Sequence, residues 1–125
     1  GHPLLGHTLT QIRFEGSWSV RLAGAGYHAP HTHPRGWISS ALYVALPAAG
    51  ELGAPPSGYL MLGSSPPELG LDLEPLHRIE PQPGRLVLFP STTWHATAPF
   101  AAGERLSIAF DVSLPRPDSL QRAPD

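Results

Sequence analysis

The chain contains no cysteine and no lysine, and it is poor in charge and in long apolar runs. The absence of cysteine excludes disulfides, cysteine-zinc sites and thiol nucleophiles, and it fits a reducing compartment, so we expect a cytoplasmic location. Charged residues make up 14% of the 125 residues, and the formal net charge is -2. We therefore expect neither a nucleic-acid partner nor a membrane surface, since both attract basic segments. No apolar run approaches the roughly 18 residues of a membrane span.

Glycine and proline, by contrast, are abundant, with 13 and 16 copies. Both residues interrupt helices and favour turns between short strands, so an all-helical bundle is excluded and a helix content below roughly 15% is expected. The length and the 41% of hydrophobic residues fit one domain with one core. We expect an irregular N-terminal segment over 1–16, a β domain over 17–114 and a proline-rich tail over 115–125.

Seven segments read as short strands bounded by turn residues, which is the pattern of an all-β sandwich or barrel. Some alternate polar and apolar residues, and others are continuously apolar and β-rich. A turn over 81–84 precedes one of them and places Gly84 where a positive φ is needed. The predicted strands are 17–22, 37–46, 59–62, 76–80, 85–89, 93–98 and 105–114.

Seven histidines are many for so short a chain, and three of them have the spacing of metal ligands. In an extended segment, His31 and His33 direct their imidazoles to one face, and His95 on a distant strand is the candidate third ligand. Imidazole suits iron, copper, zinc and nickel. Taken alone, however, His-X-His is a weak motif, and a histidine in an apolar strand is more often a core residue. The remaining histidines are expected at the surface or in packing, with His28 beside the ligands or exposed: His2, His7, His28 and His77.

An arginine and a serine in the last predicted strand form a second candidate group. Arg105 and Ser107 are two residues apart, so their side chains share a face of the strand. A guanidinium beside a hydroxyl suits a carboxylate, which arginine binds through two parallel hydrogen bonds. Taken alone, the pair favours a plainer interpretation, in which Arg105 opens an edge strand and pairs with Glu104 or with water.

Three stretches together resemble a known family. HTHPRGWISSALYV, PQPGRLVLFPSTTWHATAPF and GERLSIAFDV, in this order, look like a bacterial and phage branch of the iron(II)/2-oxoglutarate-dependent dioxygenases. The resemblance covers residues 17–114 and implies a double-stranded β-helix, or jelly roll, in agreement with the strand pattern. It also implies iron(II) as the metal and 2-oxoglutarate as the cosubstrate, with oxidation of an unidentified small molecule or peptide.

The resemblance assigns roles to the candidate residues. His31 and His95 would be metal ligands, and Arg105, aided by Ser107, would hold the C5 carboxylate of 2-oxoglutarate. The Tyr43 hydroxyl would donate a hydrogen bond to the same carboxylate, although a role as a core aromatic explains this residue equally well. Trp37 and Trp94 would line the pocket or serve only in packing.

One position departs from the wider superfamily, whose metal ligands are two histidines and a carboxylate. His33 stands where the carboxylate is expected, so the ligand set lacks one negative charge. Asp111 shares the Arg105 face by parity but lies further along the strand, and no acid lies close to His33 in the sequence. We therefore expect ligation by His31, His33 and His95.

Two other functions remain open on the sequence alone. The first is a three-histidine, cupin-like dioxygenase that binds its organic substrate directly, without 2-oxoglutarate. The second is a non-catalytic jelly roll that binds a metal or a small ligand. The Arg105–Ser107 pair argues against the first alternative, since a directly chelating substrate does not need a second carboxylate site.

Overall fold

The computed structural model describes residues 12–24, 28–71 and 73–113. The described residues form eight strands, one short α-helix, α1 (Ala49–Leu52), and one 3-10 helix (Pro67–Leu69), which confirms the predicted low helix content. None of these helices is long and apolar enough to span a membrane. The strands are β1 (Phe14–Ala23), β2 (His28–His31), β3 (Gly36–Ala45), β4 (Leu60–Leu62), β5 (His77–Ile79), β6 (Leu86–Pro90), β7 (His95–Thr97) and β8 (Glu104–Ser113).

The strands form two four-stranded antiparallel sheets. The first has the order β1-β8-β3-β6 and the second the order β2-β7-β4-β5, so strands distant in sequence are neighbours in each sheet. Successive strands along the chain cross repeatedly from one sheet to the other, which is the connectivity of a jelly roll. The structure thus confirms the predicted double-stranded β-helix.

All seven predicted strands are present, and their ends differ from the prediction by at most three residues. The eighth strand, β2, was not predicted as one. Its sequence, HAPH, has no polar–apolar alternation and contains a proline, and both features weaken a strand signal. The strand exists because it pairs with β7 across the second sheet.

The hydrophobic core lies between the two sheets. Its buried side chains come from the inward-facing positions of β3, β4 and β6, which alternate along each strand as a period of two requires. They are Tyr43, Leu60, Leu62, Val87 and Phe89.

The turn before β6 has its glycine in the left-handed region, with φ at 82° for Gly84, as predicted. The expected tail over 115–125, most of the segment over 1–16, His2, His7 and the side chain of His28 lie outside the described residues.

Candidate functional site

The three predicted metal-binding histidines lie together where β2 ends and β7 begins. One ring nitrogen from each of His31, His33 and His95 lies within 4.8 Å of the others. His31, the last residue of β2, is paired directly with His95, the first residue of β7. His33 follows two residues later, outside the strand, where its backbone N–H donates to the carbonyl of Ser91 at 2.9 Å. The predicted convergence is therefore present, although β2 ends before His33.

Hydrogen bonds orient the imidazoles of His95 and His33. Nδ1 of His95 donates to the carbonyl oxygen of Thr93 at 3.2 Å. Nδ1 of His33 contacts a carboxylate oxygen of Asp111. In both rings Nε2 is then free to bind a metal, which is the usual arrangement around histidine ligands.

His95 is in the neutral form that a metal ligand requires. His95 is 8% exposed. Burial is the larger cause and the nearby charge of His31 the smaller cause that lower the pKa of His95 from its ordinary value of 6.5 to about 4. At neutral pH a metal ion therefore does not have to displace a proton from His95.

The predicted carboxylate-binding arginine faces the interior of the barrel. Arg105 is 4% exposed, and its guanidinium donates from Nη1 to the hydroxyl of Thr97 at 3.2 Å. Its Nε is buried and has no hydrogen-bond partner among the described residues. In the part of the chain that the structure describes, no carboxylate forms an ion pair with this side chain. The alternative in which Arg105 pairs with Glu104 is wrong, because Glu104 contacts Arg21 instead.

Tyr43 and Ser107 flank Arg105. They occupy opposed positions on β3 and β8, and both are buried. The centre of the Tyr43 ring lies 5.9 Å from the guanidinium carbon of Arg105. Burial raises the pKa of the Tyr43 hydroxyl, while the Arg105 charge opposes the shift, so the hydroxyl remains a hydrogen-bond donor. Tyr43 also belongs to the hydrophobic core, so its position fits both interpretations, a hydrogen-bond donor in the pocket and a core aromatic.

One pocket joins the histidines to the arginine. Its lining includes His31, His33, His95 and Arg105 together with Tyr43 and Ser107. The structure thus brings all six predicted site residues to a single cavity. Such a cavity offers nitrogen ligands for a transition metal at one place and a buried cation for an anion at another.

Sequence reasoning missed three contributors to this site. Thr97 lies two residues after His95 in β7 and shares its face, which is the signal that could have pointed to it. Trp18 on β1 lines the pocket, whereas Trp37 and Trp94 do not. The Trp18 ring stacks on the His33 ring, with centroids 5.9 Å apart. Asp111 was expected to lie too far along β8 to reach the ligands, yet it contacts His33.

Comparisons with known proteins agree with this geometry. A model of the family described as "Putative 2OG-Fe(II) oxygenase" matches residues 16–111. No curated protein matches the chain. Among solved structures, an oxidoreductase of the 2OG-Fe(II) oxygenase family from Burkholderia pseudomallei is 16% identical, with a TM-score of 0.62, over 85% of this chain and 45% of its own.

A prolyl-4-hydroxylase from Pseudomonas putida is 24% identical, with a TM-score of 0.59, over 79% of this chain and 52% of its own. The chain thus spans about half the length of these two solved proteins, and it shares their fold. The family model covers well over half of the chain. The chain therefore belongs to the 2OG-Fe(II) oxygenase family, as its motifs predicted.

Proposed function

We propose that this domain carries the activity of its family, the oxidation of a substrate C–H bond by O₂ with iron(II) and 2-oxoglutarate. The observation that carries the proposal is a single pocket that holds three clustered histidines and a buried arginine without a counter-ion among the described residues. In the family reaction one O₂ converts 2-oxoglutarate to succinate and CO₂ and hydroxylates the substrate. Family membership implies both iron(II) and 2-oxoglutarate.

The histidine cluster fits a divalent iron ion. Its three nitrogen donors are mutually within 4.8 Å, and imidazole is a suitable ligand for iron. Hydrogen bonds to Nδ1 of His33 and His95 leave Nε2 of each ring free for the metal. His31, His33 and His95 are accordingly the proposed ligands.

The arginine fits the carboxylate of 2-oxoglutarate that lies far from the metal. A buried guanidinium without an anion is an uncompensated charge, which costs several kcal/mol. The unpartnered Nε of Arg105 is a donor available for the second bond of a bidentate contact. Ser107 and the Tyr43 hydroxyl, which line the same pocket, are proposed to donate to the same carboxylate.

Two aromatic side chains flank the histidine cluster, one on the core side and one on the solvent side. Phe89 contacts the His95 ring, with centroids 4.8 Å apart, on the core side of the cluster. Trp18 stacks on His33 and remains 41% exposed, so it lies between the cluster and solvent. We propose that the substrate approaches past Trp18.

The substrate we propose is a small molecule or a peptide side chain, with no nucleic acid and no membrane involved. The pocket is small and lined by both apolar and polar side chains, which suits a small molecule or a single side chain, and 2-oxoglutarate would fill part of it. We further propose a cytoplasmic location, because a reducing compartment keeps iron in the divalent state. Cell fractionation with an antibody to the native protein tests the location.

Turnover of 2-oxoglutarate by the metal-loaded protein tests the function. We expect iron(II)-dependent formation of succinate, and we expect His95→Ala to lose both bound metal and turnover. His77→Ala is the matched control, since His77 is an exposed histidine on β5.

Two results would contradict the proposal. If the protein binds metal but not 2-oxoglutarate, the result favours the first alternative, a cupin-like dioxygenase. A protein that binds both and forms no succinate with any substrate from a metabolite and peptide panel is the binding module of the second.

A further inference from the structure

A buried carboxylate stands directly behind one of the three clustered histidines. Asp111 is 6% exposed on β8, where it is paired with Ser39 of β3. One of its carboxylate oxygens contacts Nδ1 of His33. The group of ligand atoms within 4.8 Å of one another consists of His31, His33 and His95 and does not include Asp111. The carboxylate is therefore positioned to act on His33 and not as a member of the cluster.

The contact determines which nitrogen His33 presents to the cluster. A carboxylate only accepts hydrogen bonds, so Nδ1 of His33 carries the proton and donates to Asp111, and Nε2 keeps its lone pair. His95 is oriented in the same way, but by the neutral carbonyl of Thr93. The two outer acceptors differ in charge, since only the one behind His33 is a carboxylate.

The ring of His33 is also held on its face. Trp18 stacks on it at an interplanar angle of 12°, while Asp111 holds its edge. A ring fixed by two contacts loses little freedom when it binds a metal, so its contribution to affinity is larger than that of a free side chain.

We propose that Asp111 is the positioning residue of the metal centre. It fixes His33 with Nε2 toward the metal and supplies, through the hydrogen bond to Nδ1, the negative charge that three neutral imidazoles lack. The negative charge that a carboxylate ligand would bring is thus supplied by Asp111, which lies behind His33 and not in the ligand set. This inference rests on the metal centre of the proposed function, but it does not depend on 2-oxoglutarate or on turnover.

The experiment measures binding of Co(II) and Zn(II) alone to the metal-free protein by calorimetry. Asp111→Asn keeps the size of the side chain and an acceptor oxygen but removes the charge, and Asp111→Ala removes both. We expect about 10-fold weaker binding for the first variant and up to about 100-fold for the second, the range typical of partners behind metal ligands.

Glu104→Gln is the matched control. It removes a carboxylate from the same strand, roughly 23 Å from Asp111 along β8. Glu104 is exposed and its ion-pair partner is Arg21, so we expect unchanged metal affinity. The visible spectrum of the Co(II)-loaded protein is the second readout: we expect shifted bands in Asp111→Asn at full occupancy and unshifted bands in Glu104→Gln.

Two outcomes would overturn the proposal. Equal affinities and spectra of Asp111→Asn and the unaltered protein would show that the carboxylate does not act on the metal. If His33→Ala keeps its metal and Asp111→Asn loses it, Asp111 is itself a ligand. Circular dichroism of each metal-free variant confirms folding, and Asp111→Asn, which preserves volume, decides the matter if Asp111→Ala does not fold. A protein with the expected metal effects and no turnover would contradict only the proposed function.

Discussion

Arg105 is the most deeply buried of the charged residues in the described structure. It is 4% exposed, its Nε is unpartnered among the described residues, and its neighbours include a hydroxyl and an aromatic ring. Burial lowers the pKa of the guanidinium, and the Tyr43 hydroxyl partly offsets this effect. A side chain in this state gains from any anion that enters the pocket.

We expect Arg105→Ala to weaken binding of 2-oxoglutarate by about 2 to 5 kcal/mol, because the buried carboxylate loses its charged partner. Arg105→Lys should restore only part of the affinity, since an ammonium cannot form two parallel hydrogen bonds. Calorimetric titration of the metal-loaded variants provides the measurement, and metal content should stay near normal. Arg21→Ala, on an exposed arginine of β1, is the control. Equal affinity in Arg105→Ala and the unaltered protein would favour the cupin-like alternative.

His95 should make the metal-free protein sensitive to moderate acid. Its pKa is about 4 in the folded protein and 6.5 ordinarily, so between these values the unfolded chain binds a proton that the folded protein excludes. The free energy of unfolding therefore falls as the pH falls through this window, by at most about 3 kcal/mol at about 1.4 kcal/mol for each pKa unit. Urea unfolding between pH 7 and pH 4, in the presence of a chelator, measures this loss.

His95→Gln separates this effect from other titrating groups, because glutamine binds no proton in either state. We expect its free energy of unfolding to decline less steeply with acid than that of the unaltered protein. Parallel pH profiles of the two proteins would refute the assignment to His95.

At the scale of elements, we expect a glycine-to-alanine substitution to change the free energy of unfolding in opposite directions at two positions. Gly84, in the turn before β6, has a φ of 82°, and a methyl group added there would lie in open space, so alanine meets only backbone strain. Gly50 lies within α1 and also has open space beside it, but its conformation is helical.

We expect Gly84→Ala to lower the free energy of unfolding by about 1 kcal/mol, because the left-handed conformation disfavours a side chain. Gly50→Ala should raise it by about 0.5 to 1 kcal/mol, since alanine is the better helix former. Urea denaturation of both variants under one condition measures the pair. Changes of the same sign would contradict the conformational explanation.

At the scale of the whole molecule, the proposed metal ligands lie on the second sheet and in the turn that leads to the first. His31 and His95 belong to β2 and β7 of the second sheet, while His33 lies in the turn that leads into β3 of the first. A metal bound by all three would add a link between the paired strands β2 and β7 and the turn that leads into β3.

We expect Zn(II) or Co(II) to stabilise the folded protein by mass action, by about 2.7 kcal/mol at a free concentration 100 times the Kd. Thermal unfolding with and without metal measures the effect. His95→Ala should lose it, whereas His77→Ala, at an exposed position, should keep it. A His95→Ala protein that is stabilised as strongly as the unaltered one would show that the metal binds elsewhere.

Much of the fold was predictable because strands and turns depend on local patterns. The alternation over β8 places its side chains inside or outside without reference to any partner, and the apolar, β-rich run over β6 is enough to predict a strand. The strand β2 was not predictable in this way, since its four residues are held by pairing with β7. The candidate histidines and arginine were identifiable because three motifs in a fixed order resemble a known family; taken alone, their spacing is a weak signal.

What the sequence by itself determined is the set of strands with a clear period, the turn at Gly84, the family and the six candidate residues that line one pocket. Only the tertiary structure decided that Asp111 reaches His33, that Thr97 contacts Arg105, and that Trp18 lines the pocket. These contacts depend on which strands pair and in what register. A period of two fixes the face that a side chain occupies, but it does not fix which side chain of another strand lies opposite.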